Sequence, residues 1–161
     1  MLNVRHADPF DAAQVAEILD DVGVLQAAAE PEALTRQRLR SQIERAEAGD
    51  HDVFVAERED VGVIGFAAVS WTQNLRMGVD GLVSDLFVRS DVRGEGAGSA
   101  LIDRVKREAR ARGCARLLLY SGREGDAYER SFYPKMGFAE HDELAFFILP
   151  VYSRYFMEPL R

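Results

Sequence analysis

Apolar and polar residues alternate over several short stretches of the chain, the pattern of half-buried β-strands. These stretches are rich in β-branched and aromatic residues and predict strands over residues 3–6, 52–57, 61–71, 83–88 and 115–120. The polar residues 58–60 separate the second and third strands by a length typical of an antiparallel hairpin. Residues 72–81 are mostly polar, so we predict a loop there.

Four other stretches carry apolar residues at the three- and four-residue spacing of an amphipathic helix. The predicted helices cover residues 9–22, 31–48, 98–112 and 126–136. The first three end near Gly23, Gly49 and Gly113, because glycine commonly follows the last turn of a helix. Pro134 is expected to disturb the end of the fourth.

The order of these elements favours an α/β fold. Strand 83–88, helix 98–112 and strand 115–120 follow one another, which implies a crossover between two parallel strands. Two short strands over residues 138–143 and 153–160 would form a final hairpin around an aromatic loop, residues 144–152. A chain of 161 residues with 47% hydrophobic content can bury one core without disulfides, so we predict a single domain over residues 1–161.

The turn between strand 83–88 and helix 98–112 contains Arg93, Gly94, Gly96 and Gly98. Glycines let backbone N–H groups turn toward one point, and a helix N-terminus attracts anions, so the turn predicts a phosphate site. The planar guanidinium of an arginine suits a pair of phosphate oxygens. A dinucleotide-binding fingerprint would need glycine at Ser99, and the Gly-Lys-Ser/Thr of a Walker A loop is absent. The alternative is a flexible turn that binds nothing.

Two motifs lie in the second half of the chain. Arg93, Gly96 and Gly98 give R-x-x-G-x-G after a hydrophobic strand, and residues 132–138 are FYPKMGF. They resemble the R-x-x-G-x-G and F-Y-x-x-x-G-F motifs of the GCN5-related N-acetyltransferase (GNAT) family. The resemblance implies a mixed, mostly antiparallel sheet that is flanked by helices and splayed at a coenzyme A site. It also implies an acetyltransferase that moves an acetyl group from acetyl-CoA to a primary amine by direct attack, with no metal.

The same resemblance implies a set of residues that bind coenzyme A. The loop amides would hold its pyrophosphate, and the end of the preceding strand would contact its pantetheine arm through the backbone. The predicted cofactor-binding residues are Phe87, Val88, Arg89, Arg93, Gly94, Glu95, Gly96, Ala97, Gly98, Ser99, Asp126, Phe132 and Tyr133. Asp126 departs from the asparagine of many members, and an ionised carboxylate cannot donate a hydrogen bond.

Catalysis by this route needs an acid for the departing thiolate and a base for the amine. Tyr133 corresponds to the family's frequent general acid, and its alternative role is aromatic packing. Asp85 is the candidate base, and its alternative is a structural carboxylate. Since strand side chains alternate, only one of Ser84 and Asp85 is expected to face the acetyl site. Glu143 and His141 are weaker candidates, and water can also carry the proton.

The charge balance narrows the classes of partner. A net charge of −7, from 27 acidic and 20 basic residues, disfavours nucleic-acid binding. It suits a cationic amine substrate, although it also serves solubility alone. Charged residues on the first helix pair, Arg36 and Arg40 among them, are more simply explained as solvated helix residues than as substrate contacts.

Membrane, metal and disulfide features are not expected. No apolar run approaches the length of a membrane span, and the N-terminus lacks the pattern of a signal peptide, so we predict a cytoplasmic protein. The single Cys114 cannot form an internal disulfide, and it precedes a strand where a buried, inert thiol is expected. The three histidines are scattered, without ligand-spaced neighbours, so we predict no metal site.

Two alternatives to an acetyltransferase remain at this point: a non-catalytic acyl-CoA-binding sensor or interaction module, and a transferase of a longer acyl group. Aromatic residues near the C-terminus would either line the acceptor site or form a homodimer interface, and we predict the homodimer. These residues are Phe146, Phe147, Tyr152, Tyr155 and Phe156.

Overall fold

The computed structural model describes residues 1–25, 31–46, 49–143 and 145–149, which fall into two compact units, Met1–Ser121 and Gly122–Arg161. The first unit contains strands β1 Leu2–His6, β2 His51–Arg58, β3 Gly62–Asn74, β4 Gly78–Val88 and β5 Cys114–Leu119, and helices α1 Ala12–Asp21, α2 Glu32–Ala46 and α3 Ala97–Ala111. Short 3-10 turns cover Pro9–Asp11 and Ser90–Val92. The second unit contains two single-turn helices, α4 Asp126–Glu129 and α5 Phe132–Lys135.

The five strands form one sheet in the order β1-β2-β3-β4-β5. Neighbouring strands from β1 to β4 are antiparallel, and β4 and β5 are parallel. Helix α3 connects the parallel pair, as predicted. The mixed, mostly antiparallel sheet is therefore confirmed.

Side-chain alternation along the central strands builds a core on each face of the sheet. Val53 and Val55 of β2 pack with α1 and α2 on one face. Phe54 and Ala56, which alternate with these valines in sequence, pack with α3 on the other face. The apolar stripe of α3 includes Leu101, which is fully buried. The apolar residues predicted at helical spacing are therefore the ones with which α3 packs against the sheet.

The prediction of a polar loop over residues 72–81 is wrong. Strands β3 and β4 instead continue as a hairpin down to the pair Asn74 and Gly78. The Asn74 side chain accepts hydrogen bonds from the backbone N–H groups of Arg76 and Met77 and so closes the turn. Polar residues are compatible with these strand ends because their backbone pairs while the side chains of Thr72 and Gln73 meet solvent. The buried Asp80 is satisfied instead by a hydrogen bond from Arg116.

The second unit also differs from prediction. The helix expected over residues 126–136 is broken at Ser131, whose φ of 53° is left-handed. A continuous helix would bring the Pro134 ring against the carbonyl of Arg130. That carbonyl instead accepts a hydrogen bond from Lys135 Nζ at 3.0 Å.

The first strand of the predicted final hairpin is also wrong, because residues 138–143 form no strand. This segment lacks the alternation of a strand, and its Glu140 is hydrogen-bonded by Arg123 and Tyr128. The second predicted strand, residues 153–160, lies outside the described residues.

Candidate functional site

Strand β4 has an open edge at its carboxyl end. Its pairing with β5 covers Val79 to Val83 and stops at the Val83–Leu119 pair. Its pairing with β3 continues to Val88. Within the described residues, β4 from Ser84 to Val88 therefore has a strand on one side only. A ligand with amide groups can hydrogen-bond such an edge.

The ladder geometry shows which residues present backbone groups at this edge. The N–H of Arg89 donates to the Ile64 carbonyl of β3 at 2.9 Å. Since antiparallel pairing uses alternate residues, the N–H and C=O groups of Leu86 and Val88 point the other way, to the open edge. The Arg93 Nε lies 3.4 Å from the Val88 carbonyl on that side.

This geometry shows which of the expected backbone groups are already hydrogen-bonded. The Arg89 N–H is used by Ile64, and its carbonyl accepts from Val92 N–H at 3.3 Å, so the Arg89 backbone is already engaged. By the same alternation the Phe87 backbone pairs with β3. Val88 stays at the open edge, and Leu86, which the sequence reasoning missed, joins it. The two-residue strand period would have identified Leu86 once Val88 was chosen.

A β-bulge at Ser84 interrupts the pairing of β4 with β3. Asp85 pairs with Ala68 and Val83 pairs with Val69, so Ser84 is an extra residue on β4. The Ser84 hydroxyl donates to the Asp85 carboxylate at 2.8 Å. Side chains therefore do not alternate strictly at this point of β4. The expectation that only one of these two side chains faces the acetyl site was based on strict alternation. The half-buried Asp85 carries an oriented hydrogen-bond partner next to the open edge.

The turn after β4 is fixed at its first residues. Val92 is buried in the core beneath α3. The Asp21 carboxylate, at the end of α1, accepts the Ser90 N–H at 2.7 Å and the Ser90 hydroxyl at 2.9 Å. These hydrogen bonds, the backbone one first, hold the pKa of Asp21 below its ordinary value. The entry to the glycine loop is thus anchored to both faces of the sheet.

The glycine loop itself has the backbone that an anion site needs. Gly94 and Gly96 have φ angles of 85° and 92°, in the region that favours glycine. Gly96 is the N-cap of α3 and provides no side-chain cap. The first N–H groups of the helix, from Ala97 to Ser99, therefore lack the side-chain partner that usually satisfies a helix start. The predicted loop residues are brought together around this helix end.

The second unit contains the other predicted residues. Tyr133 is half-buried, with its ring edge-on to Phe132 at 5.3 Å and to Phe138 at 6.3 Å. The side chain of Asp126 lies outside the described part of the structure. His141 and Glu143 are exposed, and the structure gives them no described side-chain partner. The motif residues 132–138 thus form a small aromatic cluster.

A family model for GNAT acetyltransferases matches residues 19–138, which is most of the chain. The chain belongs to the GNAT acetyltransferase family. The protein is therefore an acyltransferase of the fold that uses acetyl-CoA, and family membership favours an enzyme over the non-catalytic alternative.

Known proteins support this assignment. Glucosamine 6-phosphate N-acetyltransferase 1 of Oryza sativa subsp. japonica is 31% identical over 124 residues, covering 74% of this chain and 73% of the rice protein. The structure of the Arabidopsis thaliana glucosamine-6-phosphate N-acetyltransferase has a TM-score of 0.73 at 19% identity, over 93% of this chain and 99% of that one. A predicted acetyltransferase with acetyl-CoA from Clostridium acetobutylicum has a TM-score of 0.68 at 22% identity, over 92% and 96%. At these identities the two structures show the same fold.

A cluster of metal ligands and a membrane-spanning helix are both absent from the described part of the structure. The described residues contain no group of three or more histidine, cysteine and acidic side chains that could hold a metal ion. Among the same residues, no helix is both long and apolar enough to span a membrane.

Proposed function

We propose that this acetyltransferase moves the acetyl group of acetyl-CoA to the primary amine of a small molecule. The observation that supports this most directly is the open edge of β4 at Leu86 and Val88, which leads into the glycine loop and the uncapped start of α3. An extended amide-containing arm followed by a diphosphate matches that sequence of features. Coenzyme A has this order of groups.

In this proposal three parts of the chain bind coenzyme A: the end of β4, the glycine loop and the motif residues of the second unit. Leu86 and Val88 bind the pantetheine amides through their backbone, and the loop from Arg93 to Ser99 binds the diphosphate. Phe132 and Tyr133 are assigned to the thioester end, as the family resemblance implies. Asp126 is assigned to the pantetheine arm by the same resemblance.

The chemistry is a direct attack of a neutral amine on the thioester carbonyl. The amine nitrogen forms a bond to the carbonyl carbon, and the Val88 N–H stabilises the oxyanion that develops. The carbon–sulfur bond then breaks, and the Tyr133 hydroxyl donates its proton to the coenzyme A thiolate. Asp85, directly or through water, accepts the proton that the amine loses.

Amino sugar phosphates are the first acceptor class to test, because the rice relative is a glucosamine 6-phosphate N-acetyltransferase. Polyamines, aminoglycosides, amino acids and basic peptides complete the panel, since the acidic charge balance also suits cationic amines. The assay is acetyl-CoA-dependent thiol release with a no-amine control. Turnover on one class supports the proposal and identifies the acceptor. Thermal stabilisation by acetyl-CoA without turnover on any amine would contradict it.

The roles of Tyr133 and Asp85 have separate tests. Tyr133→Phe keeps the ring contacts and should lower kcat about a hundredfold, a typical contribution of a general acid. Tyr128→Phe is the matched control, because its hydroxyl bonds Glu140 within the same unit. Asp85→Asn should lower the rate most near neutral pH and less at high pH, where more amine is neutral. A flat ratio of the two rates across pH would contradict a base role.

We also propose a homodimer and a single catalytic domain over residues 1–161, located in the cytoplasm. Phe147 and Leu149 are 88% and 85% exposed, and such apolar residues are common in subunit interfaces. The remaining predicted aromatic residues, Tyr152, Tyr155 and Phe156, lie outside the described residues. A monomeric mass in light scattering at micromolar concentration would contradict the dimer.

A further inference from the structure

The tip of the glycine loop has little packing to hold its shape. A Cβ atom placed on Gly94 or Gly96 would meet no atom within 4 Å, and residues 93–96 are exposed. In the described part of the chain, the side-chain interaction recorded for residues 94–96 is that of Glu95 with Arg58. Residues 37 positions apart are therefore joined at the loop tip.

Arg58 is itself held in place. It is the last residue of β2, and its side chain is 27% exposed. Its Nε and Nη2 donate to the two Asp60 oxygens at 2.9 and 3.2 Å, and its Nη1 donates to Glu95 Oε2 at 2.5 Å. The paired contact with Asp60 aligns the guanidinium, so its third nitrogen, Nη1, is directed at the loop.

The negative charge of Glu95 lies within the loop that is proposed to bind the diphosphate. A carboxylate in a loop that binds a diphosphate repels that ligand. Arg58 compensates the charge of Glu95 and also ties the exposed loop to the end of a sheet strand. A loop ordered before the ligand arrives loses less entropy on binding.

We propose that Arg58 is a positioning residue for the coenzyme A diphosphate and that it acts through Glu95. This inference rests on the proposed use of acetyl-CoA. Arg58 does not touch the phosphates; it holds the loop that does and neutralises the one acidic side chain within it.

The test is a double-mutant cycle read by calorimetric titration with acetyl-CoA. Arg58→Gln leaves Glu95 unpaired and should raise Kd about three- to tenfold, the range for a close, partly exposed charge interaction. Glu95→Gln removes the tether and the repulsion together, and it provides the background in which Arg58 has no carboxylate to compensate. In the Glu95→Gln background, Arg58→Gln should change Kd less than about twofold, because the two residues act as one unit.

Salt and a control pair separate this role from a purely structural one. The loss in Arg58→Gln should shrink at high ionic strength, because the repulsion it exposes is screened. Arg40→Gln breaks an exposed Arg–Glu pair on α2, at 3.0 Å from Glu44, and should leave Kd unchanged. Melting temperatures should be alike for all the variants, since exposed ion pairs contribute little to stability.

Three results would overturn the inference. The first is an equal loss of acetyl-CoA affinity from Arg58→Gln in both backgrounds, which would indicate a direct phosphate contact. The second is no loss of affinity in either background. The third is a loss of affinity that salt does not reduce. If wild-type protein itself fails to bind acetyl-CoA, the proposed function fails as well. Binding by wild type without coupling between Arg58 and Glu95 removes this inference alone.

Discussion

Substituting Gly65 tests whether the end of β4 positions the acetyl donor. Gly65 lies in β3 directly opposite Val88 and is buried. A Cβ atom at this position would lie 2.9 Å from the Phe87 carbonyl oxygen and 3.1 Å from Val88 Cγ2. The nearer atom belongs to the backbone, so Gly65→Ala must push the two strands apart.

The size of the effect follows from that contact. Overpacking of this kind costs about 1–3 kcal/mol. The loss of glycine's freedom in the unfolded chain returns about 0.4–1 kcal/mol. The net loss of about 1–2 kcal/mol corresponds to a fall in Tm of about 2–8 °C for a domain of this size. A displacement of a few tenths of an ångström at Val88 should raise the KM for acetyl-CoA about tenfold, with a smaller change in kcat.

Steady-state kinetics with acetyl-CoA varied, together with thermal unfolding, measure these effects. Gly122→Ala is the matched control, because its Cβ would meet no atom within 4 Å and its φ is not positive. An unchanged KM in a Gly65→Ala protein with lowered Tm would refute the link between this strand end and donor binding. An unchanged Tm would refute the packing argument itself.

Further predictions concern the loop, the buried charges and pH. Gly96→Ala forces a Cβ into a left-handed backbone, so acetyl-CoA affinity in calorimetry should fall about tenfold, and wild-type affinity would contradict the strain argument. Asp52→Ala should lower the free energy of unfolding, measured in urea, by about 2–3 kcal/mol, because the buried carboxylate accepts a hydrogen bond from Trp71 at 2.7 Å and pairs with Arg112 at 3.0 Å. A loss below about 1 kcal/mol, the effect of an exposed pair, would contradict this prediction. Burial alone raises the pKa of Glu108, but hydrogen bonds from Arg104 and Arg112 outweigh it and hold that pKa below the ordinary 4.5. The stability that this carboxylate contributes should therefore be complete above about pH 4.5 and decline as the pH falls below that value. In thermal unfolding, Glu108→Gln should lose less stability in acid than wild type. Equal losses in acid would contradict the stabilising role of the Glu108 carboxylate.

The sequence by itself determined the elements whose signals are local. The apolar spacing of Leu101, Ile102 and Val105 specifies the buried face of α3. The glycines at positions 94 and 96 specify a turn that residues with a Cβ avoid. These features depend on residues a few positions apart, and so they were predictable. The same local signals carried the family motifs and with them the candidate site.

The tertiary structure alone decided the features that depend on distant partners. How the side chains of Ser84 and Asp85 are placed depends on the register with β3, which shifts at the bulge on Ser84. The pairing of Arg58 with Glu95 spans 37 positions and has no local pattern. Hydrogen-bond partners of this kind are chosen by the packing of whole elements, so a sequence read segment by segment cannot specify them.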